Sequence, residues 1–152
     1  MSRSGYCEDG DYEPLQAGRW NAQVASALRG ARGQKFLRDL VTALDAMPVK
    51  ELVSGALETE EGAVCALGCL GKAKGVQLRS LASEDWDDSD WDTLSETFNI
   101  APQLAREVMY INDDRDSYYR PVQPDNAQRW RDVRGWAVSH IRLTAAELPE
   151  SP

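Results

Sequence analysis

The stretch QKFLRDLVTALDAMP, residues 34–48, constrains the fold more than any other part of the chain. Phe36, Leu37, Leu40, Val41 and Leu44 follow the i, i+3, i+4 rule, which gathers them into one apolar stripe on a helix. Pro48 ends that helix, because its ring cannot continue the hydrogen-bond ladder. A stripe of this kind has to be covered by other elements, so the rest of the chain must supply partners for it.

Several segments qualify. A helical pattern begins at Pro14, a residue welcome in a first turn, and Leu15, Trp20, Val24 and Leu28 fall near one face. GARG, residues 30–33, is expected to break it. After Asn99, which can stop a helix, Pro102 opens PQLAREVMYIND, with Leu104, Val108 and Ile111 at helical spacing. PDNAQRWRDVRGWAVSHIRL, residues 124–143, predicts a long amphipathic helix, with Trp130, Val133, Ala137 and Ile141 inward and Arg129, Asp132 and Arg142 outward. The stretch 49–75 is open between a short hairpin turning at Glu60-Glu61-Gly62 and two short helices. Its second half, rich in Ala and Leu, favours helix, and Gly68, Gly71 and Gly75 either admit close packing or end it. The expectation is a mostly α, compact single-domain helical bundle, with a short β-hairpin near residues 52–67 as one reading of that stretch. Residues 1–13 are expected as a flexible acidic arm, residues 14–148 as the globular domain, and residues 113–124 as an ordered loop with aromatic anchors.

The totals bound the function. The chain has 152 residues, 42% hydrophobic, enough for one core, and a net charge of −8. That charge opposes general affinity for nucleic acids or anionic membranes, whose phosphates would repel the molecule. It is nevertheless segregated: Arg19, Arg29, Arg32, Lys35 and Arg38 follow one another without an intervening acid. Three cysteines are too few for a disulfide scaffold. No run approaches the roughly 18 apolar residues that span a bilayer, and the N-terminus lacks the apolar core of a signal peptide. These features point to a soluble protein of the cytoplasm.

The decapeptide SEDWDDSDWD, residues 83–92, holds six carboxylates and two tryptophans. Counted as a calcium loop from Asp85, it places oxygens at Asp85, Asp87, Ser89, Thr93 and Glu96, but Asp90 stands where the loop needs glycine. As a helix start, Ser89 can cap the first turn, with Asp92 completing the box and Trp91 turned to the core. That leaves Glu84, Asp85, Trp86, Asp87 and Asp88 with more charge than a cap needs. They form either a solvated face or a surface that offers carboxylates to a basic partner.

Other candidates are weaker. TLSETFNIAPQLAREVMY has the outline of a helix-turn-helix, but Glu107, Asp113 and Asp114 oppose a DNA-reading second helix, and a plain helical corner suffices. Arg29, Arg32, Lys35 and Arg38, with two glycines among them, are the alternative anion- or nucleic-acid-binding set. Cys7, Cys65, Cys69 and His140 match a zinc set in composition but lack the C-x₂-C spacing, so buried thiols and no metal are expected. GCLGKAKG lacks the Ser or Thr of a phosphate-binding loop. Ser139 and His140, as helix neighbours, are expected to diverge rather than act as nucleophile and base. No catalytic residue and no cofactor is assigned.

Taken together, SRSGYCED, RGARGQKFLRDLVTALDAMPVKELV, VCALGCLGKAKG, FNIAPQLAREVMYINDD and QRWRDVRGWAVSHI resemble a family of small, functionally uncharacterised proteins encoded by tailed bacteriophages and prophages. The resemblance covers most of the chain and is broken chiefly at residues 84–92, where this chain has more acids and more tryptophan. It implies a genomic setting, the bacterial host cytoplasm, and no activity. Within such a setting the expected function is a non-enzymatic protein that binds a host protein complex with a basic surface. The target would be a nucleic-acid-handling or defence system, inhibited through Glu84, Asp85, Trp86, Asp87 and Asp88. A nucleic-acid-binding regulator using the basic set and the C-terminal arginines is the alternative, and a structural or regulatory phage component the third reading.

Overall fold

The computed structural model describes residues 14–78, 88–113, 125–144 and 146–147; for residues 14–17 and 88 it describes the backbone alone. Among the described residues the chain is mostly α, with six helices: α1 (Pro14–Arg29), α2 (Ala31–Ala46), α3 (Ala66–Ala73), α4 (Asp88–Phe98), α5 (Pro102–Asp113) and α6 (Asn126–His140). The expected N-terminal arm, Cys7 and the loop 114–124 lie outside the described residues.

Helix α2 carries the stripe that its sequence demands. Phe36, Leu37, Leu40 and Leu44 are buried, Val41 is half-buried, and the helix stops before Pro48. The covering partners are α3 and α6 on either side, with α1 against its N-terminal end. The connection between α1 and α2 is shorter than GARG suggests. Gly30 alone interrupts the helices, and Gly33 lies inside α2, buried against the α1 backbone. A Cβ on Gly33 would stand 1.9 Å from the Ala27 carbonyl oxygen, so the glycine is there for close approach rather than for a break.

The α4–α5 corner forms as expected. Asn99 takes a left-handed conformation, φ 54°, which an asparagine tolerates, and Pro102 opens α5. The start of α4 differs from the expected cap. The helix already includes Asp88, so Ser89 lies inside the first turn instead of capping it. The calcium reading falls with it, because its ligands Ser89, Thr93 and Glu96 sit on a continuous helix instead of a loop.

Residues 50–65 cross the open end of the bundle as irregular chain, with one antiparallel bridge between Glu58 and Val64 around the turn at 59–62. They are held by a buried polar knot. Arg129 donates to the carbonyl oxygens of Asn112 (2.9 Å) and Leu52 (3.2 Å) and to Asn126 Oδ1 (2.8 Å). The Asn112 side chain accepts from the Ala66 N–H at 3.0 Å and donates to the Val53 carbonyl at 3.0 Å. Cys65, the residue at the α3 N-cap, makes no side-chain cap, so Asn112 supplies that cap from another helix. Helix α6 therefore departs from its expected orientation. Its inner face is Arg129, Val133, Trp136 and Ala137, with Trp130 and Ile141 half-buried at the margins. The guanidinium goes inward because the end of α5 and the crossing chain present the Asn112 and Leu52 carbonyls there, which need donors.

Candidate functional site

Helix α4 turns two faces to different worlds. Trp91, Leu94, Ser95 and Phe98 are buried against the bundle, while Ser89, Asp92, Thr93 and Glu96 are exposed. The orientation of the helix is fixed from beneath. The Arg106 guanidinium of α5 lies between the ring of Trp91 (5.5 Å) and the ring of Trp20 from α1 (6.0 Å), a cation–π sandwich across three helices. The Trp20 indole N–H donates to Glu107 Oε2 at 2.9 Å, which fixes the second ring in turn.

On the outer face, Asp92 and Glu96 are one helical turn apart, and no described cation lies within ion-pair distance of either. Like charges at this spacing cost a helix a few tenths of a kcal/mol. The macrodipole favours acids in the first turn but disfavours Glu96 near the C-terminal end. Folding alone thus does not call for this pair. The expected contact residues Glu84, Asp85, Trp86 and Asp87 lie outside the described residues, and of Asp88 only its backbone place at the head of α4 is described. The described outer face of α4 continues that acidic run along the chain.

The basic set is partly consumed within the fold. Arg38 meets Glu147 through two hydrogen bonds of 2.6 and 2.8 Å and also donates to the Arg142 carbonyl. This contact holds the Glu147 carboxyl down at about 2 and raises the Arg38 guanidinium. Lys35 pairs with Asp39 at 2.7 Å, and Lys74 reaches the same carboxylate at 3.2 Å. Burial pushes Asp39 up, but the two lysines outweigh it and leave its pKa lowered. Arg32 donates to the neutral Asn99 side chain at 3.3 Å, and Arg29 is exposed at the end of α1.

The helix-turn-helix reading meets a packing obstacle. Every residue of α5 is buried or half-buried, since α1, α3, α4 and α6 all pack on it. A recognition helix has to project into a groove of DNA, and α5 is the centre of the bundle. Arg106, a basic side chain of this helix, is held between Trp20 and Trp91.

Ser139 and His140 do meet, against the sequence expectation: Ser139 Oγ is 3.1 Å from His140 Nδ1. Both atoms also converge on the Trp136 carbonyl, at 2.7 and 2.8 Å. A carbonyl only accepts, so Nδ1 carries the proton and cannot draw one from the serine. The pair closes the end of α6 and does not form a nucleophile and base. Cys65 and Cys69 are buried free thiols, and burial pushes Cys69 up to about 11. Among the described residues no group of three or more His, Cys, Asp or Glu is placed to hold a metal ion. No described helix is long and apolar enough to cross a membrane.

Sequence reasoning missed the Arg129–Asn112 knot, the burial of Trp136 and the Trp20–Arg106–Trp91 sandwich. Only the last left a trace, in two tryptophans and an arginine that each sit on a predicted helix. No protein-family profile, curated protein or solved structure matches this chain.

Proposed function

We propose that the chain is a non-enzymatic binding protein of phage or prophage origin. It attaches to a basic surface of a host protein complex and inhibits a nucleic-acid-handling or defence system. The observation that carries this reading is the exposed Asp92–Glu96 pair on α4, which no cation among the described residues meets. It extends the run Glu84, Asp85, Trp86, Asp87 and Asp88 on an element whose inner face is clamped by Arg106. Exposed carboxylates steer a basic partner, and tryptophan beside them supplies an anchor. The phage origin rests on the sequence resemblance alone.

The test is capture from bacterial host extract by the immobilised full chain, beside a variant with Asp85, Asp87, Asp92 and Glu96 all changed to lysine. The native chain should retain a basic protein complex that added salt releases. The variant, with an unchanged circular dichroism spectrum, should not retain it. Equal capture by both would remove the acidic surface from the interaction.

The nucleic-acid alternative draws on Arg29, Arg32, Lys35 and Arg38 together with the C-terminal arginines. It is the weaker reading, because Lys35 and Arg38 already face carboxylates within the chain.

A further inference from the structure

A groove of about 550 Å³ runs between the C-terminal end of α2, α3 and the turn at 59–62. Ala43, Val64 and Cys69 form its buried floor. Met47, Pro48 and Val49 form one wall, and Val49 is 61% exposed, more than any other large hydrophobic side chain among the described residues. The chain makes no use of this valine in its own core, while the Cys69 thiol, pushed up by burial, leaves the floor uncharged.

The rim has a definite sign. Glu51 lines the groove, and Glu60 and Glu61 occupy the turn next to Gly62, which also lines it. All three are exposed, and among the described residues their carboxylates make no ion pair or hydrogen bond. The nearby cations are already engaged. Lys72 pairs with Glu58 and donates to the Gly62 carbonyl at 3.0 Å. The Lys50 ammonium donates to the carbonyls of Asp45 and Met47 and so closes the end of α2.

From this arrangement we infer that the groove docks a cationic amphipathic segment of a partner protein, with aliphatic anchors on the floor and lysines or arginines against the rim. An apolar floor selects aliphatic side chains, and three uncompensated carboxylates repel phosphate, anionic lipid and acidic peptides. They also disfavour a second copy of the chain, since a two-fold contact would bring Glu51, Glu60 and Glu61 of both copies together. The groove is formed by different elements from the α4 surface, and each can fail without the other.

The probe is a synthetic helical peptide of leucine and lysine with leucines at i, i+3, i+4 and i+7. One control carries glutamate for lysine, and another serine for leucine. Titrated into the ¹⁵N-labelled full chain, the leucine–lysine peptide should shift the amides of Val49, Gly62, Val64 and Ala73, and the controls should not. Val49→Ser and the triple change Glu51→Lys, Glu60→Lys, Glu61→Lys should each weaken binding about tenfold. The inference is overturned if the shifts fall only on residues 89–97, an outcome that leaves the α4 reading intact. It is equally overturned if the glutamate control binds as well. Self-association abolished by Val49→Ser would name a second copy as the occupant and overturn it too.

Discussion

Arg129 Nε donates to the Asn112 carbonyl at 2.9 Å, and both side chains are almost fully buried, at 4% and 2% exposure. The contact joins the last turn of α5 to the first turn of α6, and through Leu52 and Val53 it seats the chain that crosses the bundle. A buried hydrogen-bonded cation of this kind stabilises only as a complete set, because removing the donor leaves several carbonyls without partners.

Arg129→Ala should therefore lower stability by about 3 kcal/mol, well above the usual cost of a surface arginine. Arg129→Lys should recover little of it, since an ammonium cannot reach three acceptors in a fork. Urea unfolding followed by circular dichroism measures both. A loss below about 0.5 kcal/mol for the alanine variant would show that water or neighbouring groups replace the guanidinium.

Glycine positions in helices give opposite expectations according to their surroundings. A Cβ on Gly68 would stand 1.9 Å from the Leu57 carbonyl oxygen, whereas a Cβ on Gly135 would meet nothing within 4 Å. Gly68→Ala should cost at least about 2 kcal/mol, because backbone has to move. Gly135→Ala should raise stability by about 0.5–1 kcal/mol, by restricting the unfolded chain in a helix-compatible way. The same unfolding measurement separates them, and a stabilised Gly68 variant would contradict the packing of α3 on the 57–64 segment.

These two positions illustrate what the sequence could convey. Periodicity placed the helix over 34–48 and the corner at Asn99 and Pro102, because both follow from local rules about apolar spacing, proline and left-handed backbone. It left Gly68 open between packing and termination, since the deciding neighbour, Leu57, is remote in the helical pattern. It misplaced Arg129, because an arginine beside Asp132 on a helix has the same local signature in water as in a carbonyl-lined interior. The acidic run was visible at once, but whether Asp92 and Glu96 meet a cation depends on where the cations fold.

The tie between Arg38 and Glu147 is sensitive to acid. Hydrogen bonds from Arg38 and from the Thr144 N–H at 2.7 Å hold the Glu147 carboxyl at about 2, below its ordinary 4.5. A depressed folded-state pKa means that the contact is complete above the ordinary value and is lost as pH falls toward 2. Carboxyl ¹³C shifts should titrate Glu147 in that low range, and Arg38→Gln should return it toward 4.5. Overall stability should change little, because both side chains are over a third exposed. A normal titration in the native chain would mean that the contact does not persist in solution.

Cation binding to phosphate releases counterions, so affinity falls with salt by a slope of about −0.9 per phosphate neutralised. Full use of Arg29, Arg32, Lys35 and Arg38 would give a slope near −4, but Glu147 and Asp39 already hold two of these residues. With Arg29 and Arg32 left, and a strongly acidic chain behind them, oligonucleotide retention at about 0.15 M salt should be undetectable. At low salt any residual slope should be about −2. Electrophoretic retardation across a salt series decides the matter. A slope near −4 that Lys35→Glu and Arg38→Glu reduce would mean that phosphate displaces Asp39 and Glu147. The basic end of α2 would then be the functional surface, and the acidic face of α4 would serve only to keep the chain in solution.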